Sequence, residues 1–283
     1  MNDAWRRFRS DKPALFGAAV ILIAVASAVF APWVAPYDPT KQFFEGLTTQ
    51  GAPKPPSEQF LLGTDLLGRD LLSRLIFGAR SSLIIGLVAN AAAVFIGTVL
   101  GMTAGYVGGW TGTVIMRFTD LMMAFPALLL AIALAAILSP SLWIVALVIA
   151  LVNWVQICRV IYTQTRSIAA AEFIEAARAV GATWPRVVFR HVLPHLVPTI
   201  LVWSTLGIAI TVLLEAMLSF LGIGVQPPRP SWGGIIFESQ SYFLDAPWLV
   251  FFPGISILLL ALSFNLVGDA LRDALDPTQR GRE

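Results

Sequence analysis

Long stretches without a charged residue constrain this chain more than any other feature of its sequence. Five such stretches contain no Asp, Glu, Lys or Arg: residues 13–37, 81–116, 121–158, 191–214 and 246–268. About 20 helical residues, at ~1.5 Å each, cross a hydrocarbon core of ~30 Å. Charged residues make up 13% of the chain, whereas soluble domains contain roughly 25%. We therefore expect an all-α, polytopic membrane protein.

The charge-free runs divide into six predicted spans. The 121–158 run is too long for one helix and contains Ser139-Pro140-Ser141, where proline favours a turn. The 81–116 run passes through glycines between Gly105 and Gly109, which predict a loop after one long helix. The predicted transmembrane helices lie near residues 14–36, 81–105, 114–138, 141–161, 196–221 and 247–268. The first apolar core exceeds the ~7–15 residues of a cleaved signal peptide, so we expect it to be retained.

Basic residues indicate how these spans are oriented. If the N-terminus is cytoplasmic, thirteen of the 19 Lys and Arg fall in cytoplasmic segments, as the positive-inside rule requires. An even number of spans then places both termini in the cytoplasm. The formal net charge is only +2 and no basic stripe occurs, so nucleic-acid binding is not expected. The single cysteine excludes an internal disulfide framework.

The segment between the first two spans is polar and contains several prolines, which is typical of an extracytoplasmic loop. Leu67, Leu71, Leu72 and Leu75 follow at helical spacing, with charged residues on the opposite side. This pattern predicts a short amphipathic helix on the outer membrane surface, ahead of the second span. A solvated helix that only fixes the start of that span is the alternative interpretation.

The segment between the fourth and fifth spans carries the most informative pattern. Alanine and glutamate predominate over residues 171–180, which favours a helix, and Gly181 suits the end of that helix. Thr183 can cap a second helix that has Pro185 in its first turn. The two helices would form a compact projection below the membrane. An ordinary loop is the alternative, although about 30 residues is long for a plain connector.

This segment resembles the EAA loop of bacterial ABC-importer permeases. Glu175-Ala176-Ala177, then Gly181, then His191-Val192-Leu193-Pro194 have the spacing of that loop, with His191 where the family pattern has isoleucine. Several other stretches are similar to the dipeptide, oligopeptide and nickel branch of that family. They include Leu62-Gly63-Thr64-Asp65, Gly68-Arg69-Asp70, Phe220-Leu221-Gly222 and Phe264-Asn265-Leu266-Val267-Gly268-Asp269.

The resemblance implies a type I ABC importer permease (MetI-like) fold in the bacterial inner membrane. Residues 1–80 would hold the cytoplasmic N-terminus, the first span and the extracytoplasmic segment. Residues 81–270 would form a core of five spans with a coupling loop at about 162–195. Residues 271–283 would be a cytoplasmic tail.

The resemblance also implies partners and a cargo. The partners would be membrane lipid, a homologous second permease, two ATPase subunits that hold ATP and Mg, and a periplasmic substrate-binding protein. Glu175, Ala176, Ala177 and Gly181 would dock in an ATPase, and Pro194 would lead into the fifth span. The cargo would be dipeptides or short oligopeptides, with nickel chelates, glutathione or another small solute as the alternative.

Polar residues within the predicted spans are candidates for the pore or its gates. A carboxylate within the membrane is costly and marks a functional candidate by default, and Glu215 lies within the fifth span. It could instead reach the outer interface near Ser219. Arg117 and Asp120, three residues apart near the start of the third span, are either an interfacial pair or a cytoplasmic gate.

Other functional classes fit the sequence less well. No G-x-x-x-x-G-K-[ST] loop occurs, so we expect no catalysis by this chain, and ATP would bind to partner subunits. Pro194 lies between His191 and His195, so no metal site or cofactor is expected in the chain. An ion-driven secondary transporter usually shows repeated halves, and none is visible. An intramembrane enzyme is remote because the two histidines lie together at the end of the loop.

Overall fold

A computed structural model describes residues 9–138 and 141–275 of the chain. The described part is predominantly helical. Its helices are α1 (Lys12–Val29), α2 (Ala31–Val34), α3 (Leu71–Val107), α4 (Gly109–Met123), α5 (Ala127–Ile137), α6 (Leu142–Ala169), α7 (Glu172–Ala179), α8 (Trp184–Val187), α9 (Leu193–Phe220), α10 (Trp232–Ser239) and α11 (Trp248–Leu275). A π-helical turn at Val188–Val192 joins α8 to α9, so the chain enters α9 without a break.

Five of these helices, α1, α3, α6, α9 and α11, are long and apolar enough to cross a membrane. The sixth candidate is the pair α4 and α5, which meet at 89°. The third predicted span, near 114–138, is therefore present as two helices and not as one straight rod. Pro126 explains the break because it lacks an N–H and disfavours a helical conformation at Phe125. The turn predicted at Ser139 and Pro140 lies outside the described residues.

The start of the second span corrects one prediction. Residues 61–70 form turns, and α3 begins at Leu71, where the Asp70 carboxylate caps the helix by accepting from the Ser73 N–H at 2.8 Å. The separate amphipathic helix predicted from Leu67 to Leu75 is therefore wrong. The later leucines of that pattern instead occupy the first turns of a continuous helix.

The glycine loop predicted at the other end of this span is also shorter than expected. α3 runs through Gly105 to Val107, and only Gly108, with φ +63°, separates it from α4. Residues with a Cβ rarely adopt such a positive φ, so glycine makes this abrupt change of direction possible.

Helices α3 and α6 pack against each other at unusually close range. Cβ atoms added at Gly97, Gly101 and Gly105 would lie 2.7, 2.6 and 2.8 Å from the carbonyl oxygens of Trp154, Cys158 and Tyr162. These glycines recur every four residues, which places them on one helix face. Small residues at this spacing let transmembrane backbones approach closely. The close packing depends on the absence of side chains at these positions.

The remaining spans complete the bundle around α3. α9 packs against α3 and α11, and α1 packs against α11 and α3. Many large apolar side chains stay exposed on the outside, such as Leu22 at 69% and Phe95 at 69%. On spans of this length, such an exposed apolar surface fits contact with lipid chains.

The segment between α2 and α3 folds back on itself outside the bundle. The rings of Tyr37, Phe43 and Phe60 contact one another, with centroids 4.8–5.9 Å apart. The Thr64 hydroxyl donates to the Gly46 carbonyl at 2.5 Å and accepts from the Lys54 N–H at 2.8 Å. The segment is therefore an ordered cap on this end of the bundle.

Candidate functional site

The predicted coupling loop forms a projection made of α7, Gly181, α8 and the π-helical turn; we call these residues, 172–192, the coupling segment. Gly181 has φ +83°, the left-handed conformation expected of a glycine that ends a helix. Its N–H donates to the Arg178 carbonyl at 2.9 Å. Thr183 occupies the N-cap of α8 and Pro185 lies in its first turn, as predicted, although the Thr183 side chain makes no capping hydrogen bond. The two-helix arrangement is therefore confirmed.

Buried apolar side chains anchor the coupling segment to the bundle. Ile174, Val187 and Val192 are fully buried and belong to one cluster with residues of α3, α6 and α9. The Trp184 ring lies 6.4 Å from the Tyr106 ring at the end of α3. The Arg178 guanidinium lies 5.0 Å from the centre of the same ring, within cation–π range. The segment is therefore packed directly against the end of α3.

Other apolar side chains of the coupling segment are largely uncovered, including part of Trp184. Val180 is 87% exposed, Phe189 63% and Trp184 52%. Of the residues predicted to dock in an ATPase, Glu175, Ala176 and Gly181 are exposed and Ala177 is half-buried, while Pro194 is exposed in the first turn of α9. Four of the five lie within the coupling segment and Pro194 lies two residues beyond it, and their role in docking stays a prediction.

A cavity of about 260 Å³, which we call the amide-lined cavity, lies beside the middle of α6 and α9, and three amide side chains interrupt its otherwise apolar wall. Asn90 donates to the Ser204 carbonyl at 2.9 Å, and Asn153 lies 3.3 Å from the Thr211 hydroxyl. Gln156 is exposed at the midpoint of α6. Polar side chains at this depth face a bundle interior or a water-filled space, and not lipid. This face of α6 and α9 is therefore the candidate transport surface.

Sequence analysis missed these amides because it counted only charged residues within the spans. Asn90 and Asn153 each interrupt an apolar run, and this was the available signal. Gly207 on α9 directly faces the Asn90 side chain, and a Cβ at that position would collide with the amide. The close approach of α9 to α3 therefore depends on this pairing of a glycine with an asparagine.

Glu215, the predicted pore candidate, is fully buried and does not line this cavity. The Ser82 and Ser219 hydroxyls each donate to its carboxylate at 2.8 Å. Ser231, which caps α10, lies 3.3 Å from the Ser219 hydroxyl. The carboxylate thus joins α3, α9 and α10, and its predicted role in the pore is untested.

Asp120 and Arg117, the other pore candidates, lie at the end of the bundle that carries the coupling segment. Asp120 forms an ion pair with Arg159 of α6, while Arg117 lies 4.0 Å from its other carboxylate oxygen. The pairing with Arg159 was not predicted from the sequence. These residues belong to the wall of a second, larger cavity, and a gating role for them stays a prediction.

Four charged residues at the outer end of the bundle, of which three are buried and Glu238 is partly exposed, were also missed by sequence analysis; we call Asp65, Arg69, Arg74 and Glu238 the outer ion cluster. Arg69 Nε lies 2.6 Å from Asp65, and Arg69 Nη2 lies 2.7 Å from Glu238. Arg74 contacts Asp65 and lies 2.9 Å from Glu238. The cluster has no net charge and fastens the segment before α3 to α10.

Known proteins resemble this chain over most of its length. Residues 97–281 match the family model described as binding-protein-dependent transport system inner membrane component. Residues 1–59 match the N-terminal transmembrane domain of oligopeptide transport permease C.

Two curated relatives and one solved structure agree with these matches. The di/tripeptide transport system permease protein DppC of Pseudomonas aeruginosa is 44% identical, over 98% of this chain and 92% of that protein. The glutathione transport system permease protein GsiD of Pectobacterium atrosepticum is 39% identical, over 98% of this chain and 90% of that protein. An inward-facing structure of the MetNI methionine ABC transporter matches with a TM-score of 0.60 and 18% identity, covering 71% of this chain and 96% of that one. At this identity the last likeness shows the fold alone.

Proposed function

Because this chain belongs to the family of binding-protein-dependent transport system inner membrane components, we propose that it forms half of the pore of an ATP-driven peptide importer. A homologous permease would supply the other half, and two ATPase subunits would hold ATP and Mg. A periplasmic binding protein would deliver the cargo to the extracytoplasmic side. The chain itself would catalyse no reaction.

One observation carries this proposal: the apolar face of the coupling segment is uncovered where lipid cannot cover it. Arg178, Arg186 and Arg190 are exposed on the same segment, and guanidinium groups are costly to place in hydrocarbon. Side chains such as Val180 and Trp184 would then face water unless a protein covers them. An ATPase groove that receives the projection would satisfy both the charged and the apolar residues.

The anchoring of the segment supports a coupling role. The segment follows α6 after two residues and continues into α9 without a break. A movement of its ATPase partner would therefore reach both helices that border the amide-lined cavity. Alternating access requires such a link between the site of ATP hydrolysis and the transport surface.

Short peptides suit the amide-lined cavity. Gln156, which is exposed, and Asn153, which is half-buried, can donate to and accept from the amide groups that all peptides share, whereas Asn90 is buried and bonded to the Ser204 carbonyl. The described cavity wall contains no charged residue, so it would not select particular side chains. Di- and tripeptides are therefore the proposed cargo, and glutathione, which is itself a peptide, is the alternative.

The test is to exchange one exposed apolar residue of the coupling segment for a charged one. Val180→Asp should abolish co-purification of the ATPases and uptake of a labelled dipeptide, while the chain stays in the membrane. Leu244→Asp is the matched control, because Leu244 is equally exposed, at 90%, but lies in the segment between α10 and α11. Unchanged ATPase recovery with Val180→Asp would refute the proposed docking surface. If the wild-type chain recovers the ATPases but takes up glutathione and not the dipeptide, only the proposed cargo changes.

A further inference from the structure

A cavity of about 590 Å³ opens between the ends of α3, α4 and α6, separate from the amide-lined cavity. Glycines form one wall, among them Gly105, Gly108 and Gly112, so the backbone there is not covered by side chains. Arg117 and Arg166 contribute charged groups to the lining. The cavity is large enough for a headgroup-sized ligand.

The charges around this cavity do not balance. Its acidic residue, Asp120, forms an ion pair with Arg159, so its negative charge is already matched. Arg117 lies 4.0 Å from Asp120, and its side chain is 81% exposed. Arg166 is exposed and donates a hydrogen bond to the Tyr162 hydroxyl at 3.2 Å. The three arginines and one aspartate therefore leave two positive charges available to an anion.

The position of the cavity indicates where that anion comes from. It lies at the same end of the bundle as the coupling segment, because Tyr106, next to the glycine wall, contacts Trp184 and Arg178. Exposed apolar side chains are next in sequence to lining residues: Trp110 is 82% exposed, Val107 50% and Val114 47%. Tryptophan is enriched where a membrane meets water. The cavity therefore lies where cytoplasmic lipid headgroups and acyl chains meet.

We propose that this cavity binds the phosphate-bearing headgroup of an anionic phospholipid from the cytoplasmic leaflet. Arginine binds phosphate oxygens through two parallel N–H donors, and basic pockets between transmembrane helices bind anionic headgroups. Arg117 and Arg166 supply the two guanidinium groups, and the Tyr162 hydroxyl lies beside Arg166. The acyl chains would lie along the apolar residues next to the opening. This lipid would hold α4 against α3 and α6, independently of the cargo that the protein carries.

The test measures lipid retained by the purified, intact complex after extraction from membranes of equal phosphatidylglycerol and phosphatidylethanolamine content. The wild type should retain phosphatidylglycerol in preference to phosphatidylethanolamine. Arg117→Gln with Arg166→Gln should weaken phosphatidylglycerol binding about twenty-five-fold, at about fivefold for each basic residue near a lipid surface. Arg272→Gln, near the end of α11 and outside the cavity, is the control and should change nothing.

A second variant predicts a gain, which a misfolded protein could not produce. Asp120→Asn removes the one negative charge and should strengthen phosphatidylglycerol binding about fivefold. Equal retention in the wild type and the double arginine variant would overturn the proposal. Displacement of the lipid by millimolar inorganic phosphate would overturn the assignment to a lipid, since a free anion would then suffice.

Discussion

The outer ion cluster leads to a quantitative prediction, because each of its charges depends on the others. Asp65→Asn keeps the shape of the side chain and an oxygen that can accept from the backbone N–H groups of Leu67 and Arg69, both at 2.9 Å. It removes the negative charge that faces Arg69 and Arg74. Two buried guanidinium groups would then share Glu238 alone, whose side chain is 26% exposed.

The size of the effect follows from the burial of these groups. Removing one partner of a buried ion pair costs about 3–5 kcal/mol, because the remaining charge is uncompensated. The lower end of that range applies here, since both arginines still contact Glu238. About 3 kcal/mol corresponds to an increase of roughly a hundredfold in the population in which the segment before α3 has opened.

Thiol labelling can measure that population. Ser73 is fully buried in the first turn of α3, and its hydroxyl accepts from the Tyr37 N–H at 3.0 Å. A Ser73→Cys reporter, in a Cys158→Ala background, should react with a maleimide about a hundredfold faster once Asp65→Asn is added. Asp38→Asn is the matched control and should have no effect. Hydrogen bonds from Thr40 hold the pKa of this exposed carboxyl below its ordinary value, but Asp38 contacts no buried charge.

A compensating change makes the reasoning refutable. Arg74→Met in the Asp65→Asn protein removes the surplus positive charge and leaves Arg69 paired with Glu238. Labelling should then slow towards the rate of the reporter alone, because removing both members of a buried pair is nearly neutral. If Asp65→Asn alone leaves the labelling rate unchanged, the outer ion cluster does not stabilise the segment.

Three further predictions concern the bundle. Gly101→Leu should prevent the close packing of α3 and α6, since overpacking costs about 1–3 kcal/mol or more. It should reduce the fraction of monodisperse protein in size-exclusion chromatography. Gly254→Leu is the control and should not reduce that fraction, because no described atom lies near a Cβ added there. Glu215→Gln should leave protein yield and peptide uptake near wild type, because an amide can keep the two serine hydroxyls bonded; loss of uptake at normal yield would show that the charge is needed. Gln156→Leu should lower dipeptide uptake about two- to tenfold, the value of a lost hydrogen bond, with unchanged ATPase recovery; unchanged uptake would remove the cavity from the transport path.

Local rules predicted the coupling segment well because its geometry depends on its own residues. Gly181 adopts a positive φ and Pro185 lies in a first turn whatever the rest of the chain does. Five of the six predicted spans are present as continuous helices, and they were predictable because the length of a charge-free run decides whether a helix can cross the membrane. Pro126 itself indicated the break, but the prediction treated the apolar residues on both sides of it as one continuous span.

The outer ion cluster could not be predicted in the same way. The polar side of the leucine pattern near Arg69 and Arg74 was assigned to water, whereas these arginines are buried against Glu238, which lies 164 and more positions away in the sequence. Periodicity shows that one side of a helix or turn is polar, but it does not show whether that side contacts water or residues distant in the sequence. The same limit applies to Asp120, whose partner Arg159 lies on another helix.

The glycine contacts between α3 and α6 give this bundle a stiff two-helix beam. α6 has 28 residues, which at ~1.5 Å each makes it about 42 Å long. Because Ile157 and Ile161 of α6 sit directly against Gly97 and Gly101, the two helices have little room to slide, and a push at the end that carries the coupling segment would tilt the beam as a unit. A rotation of about 10° over that length would displace its far end by about 7 Å. A small movement of the coupling segment would then become a larger displacement at the opposite end of the helix pair, with no change in the packing of the two helices.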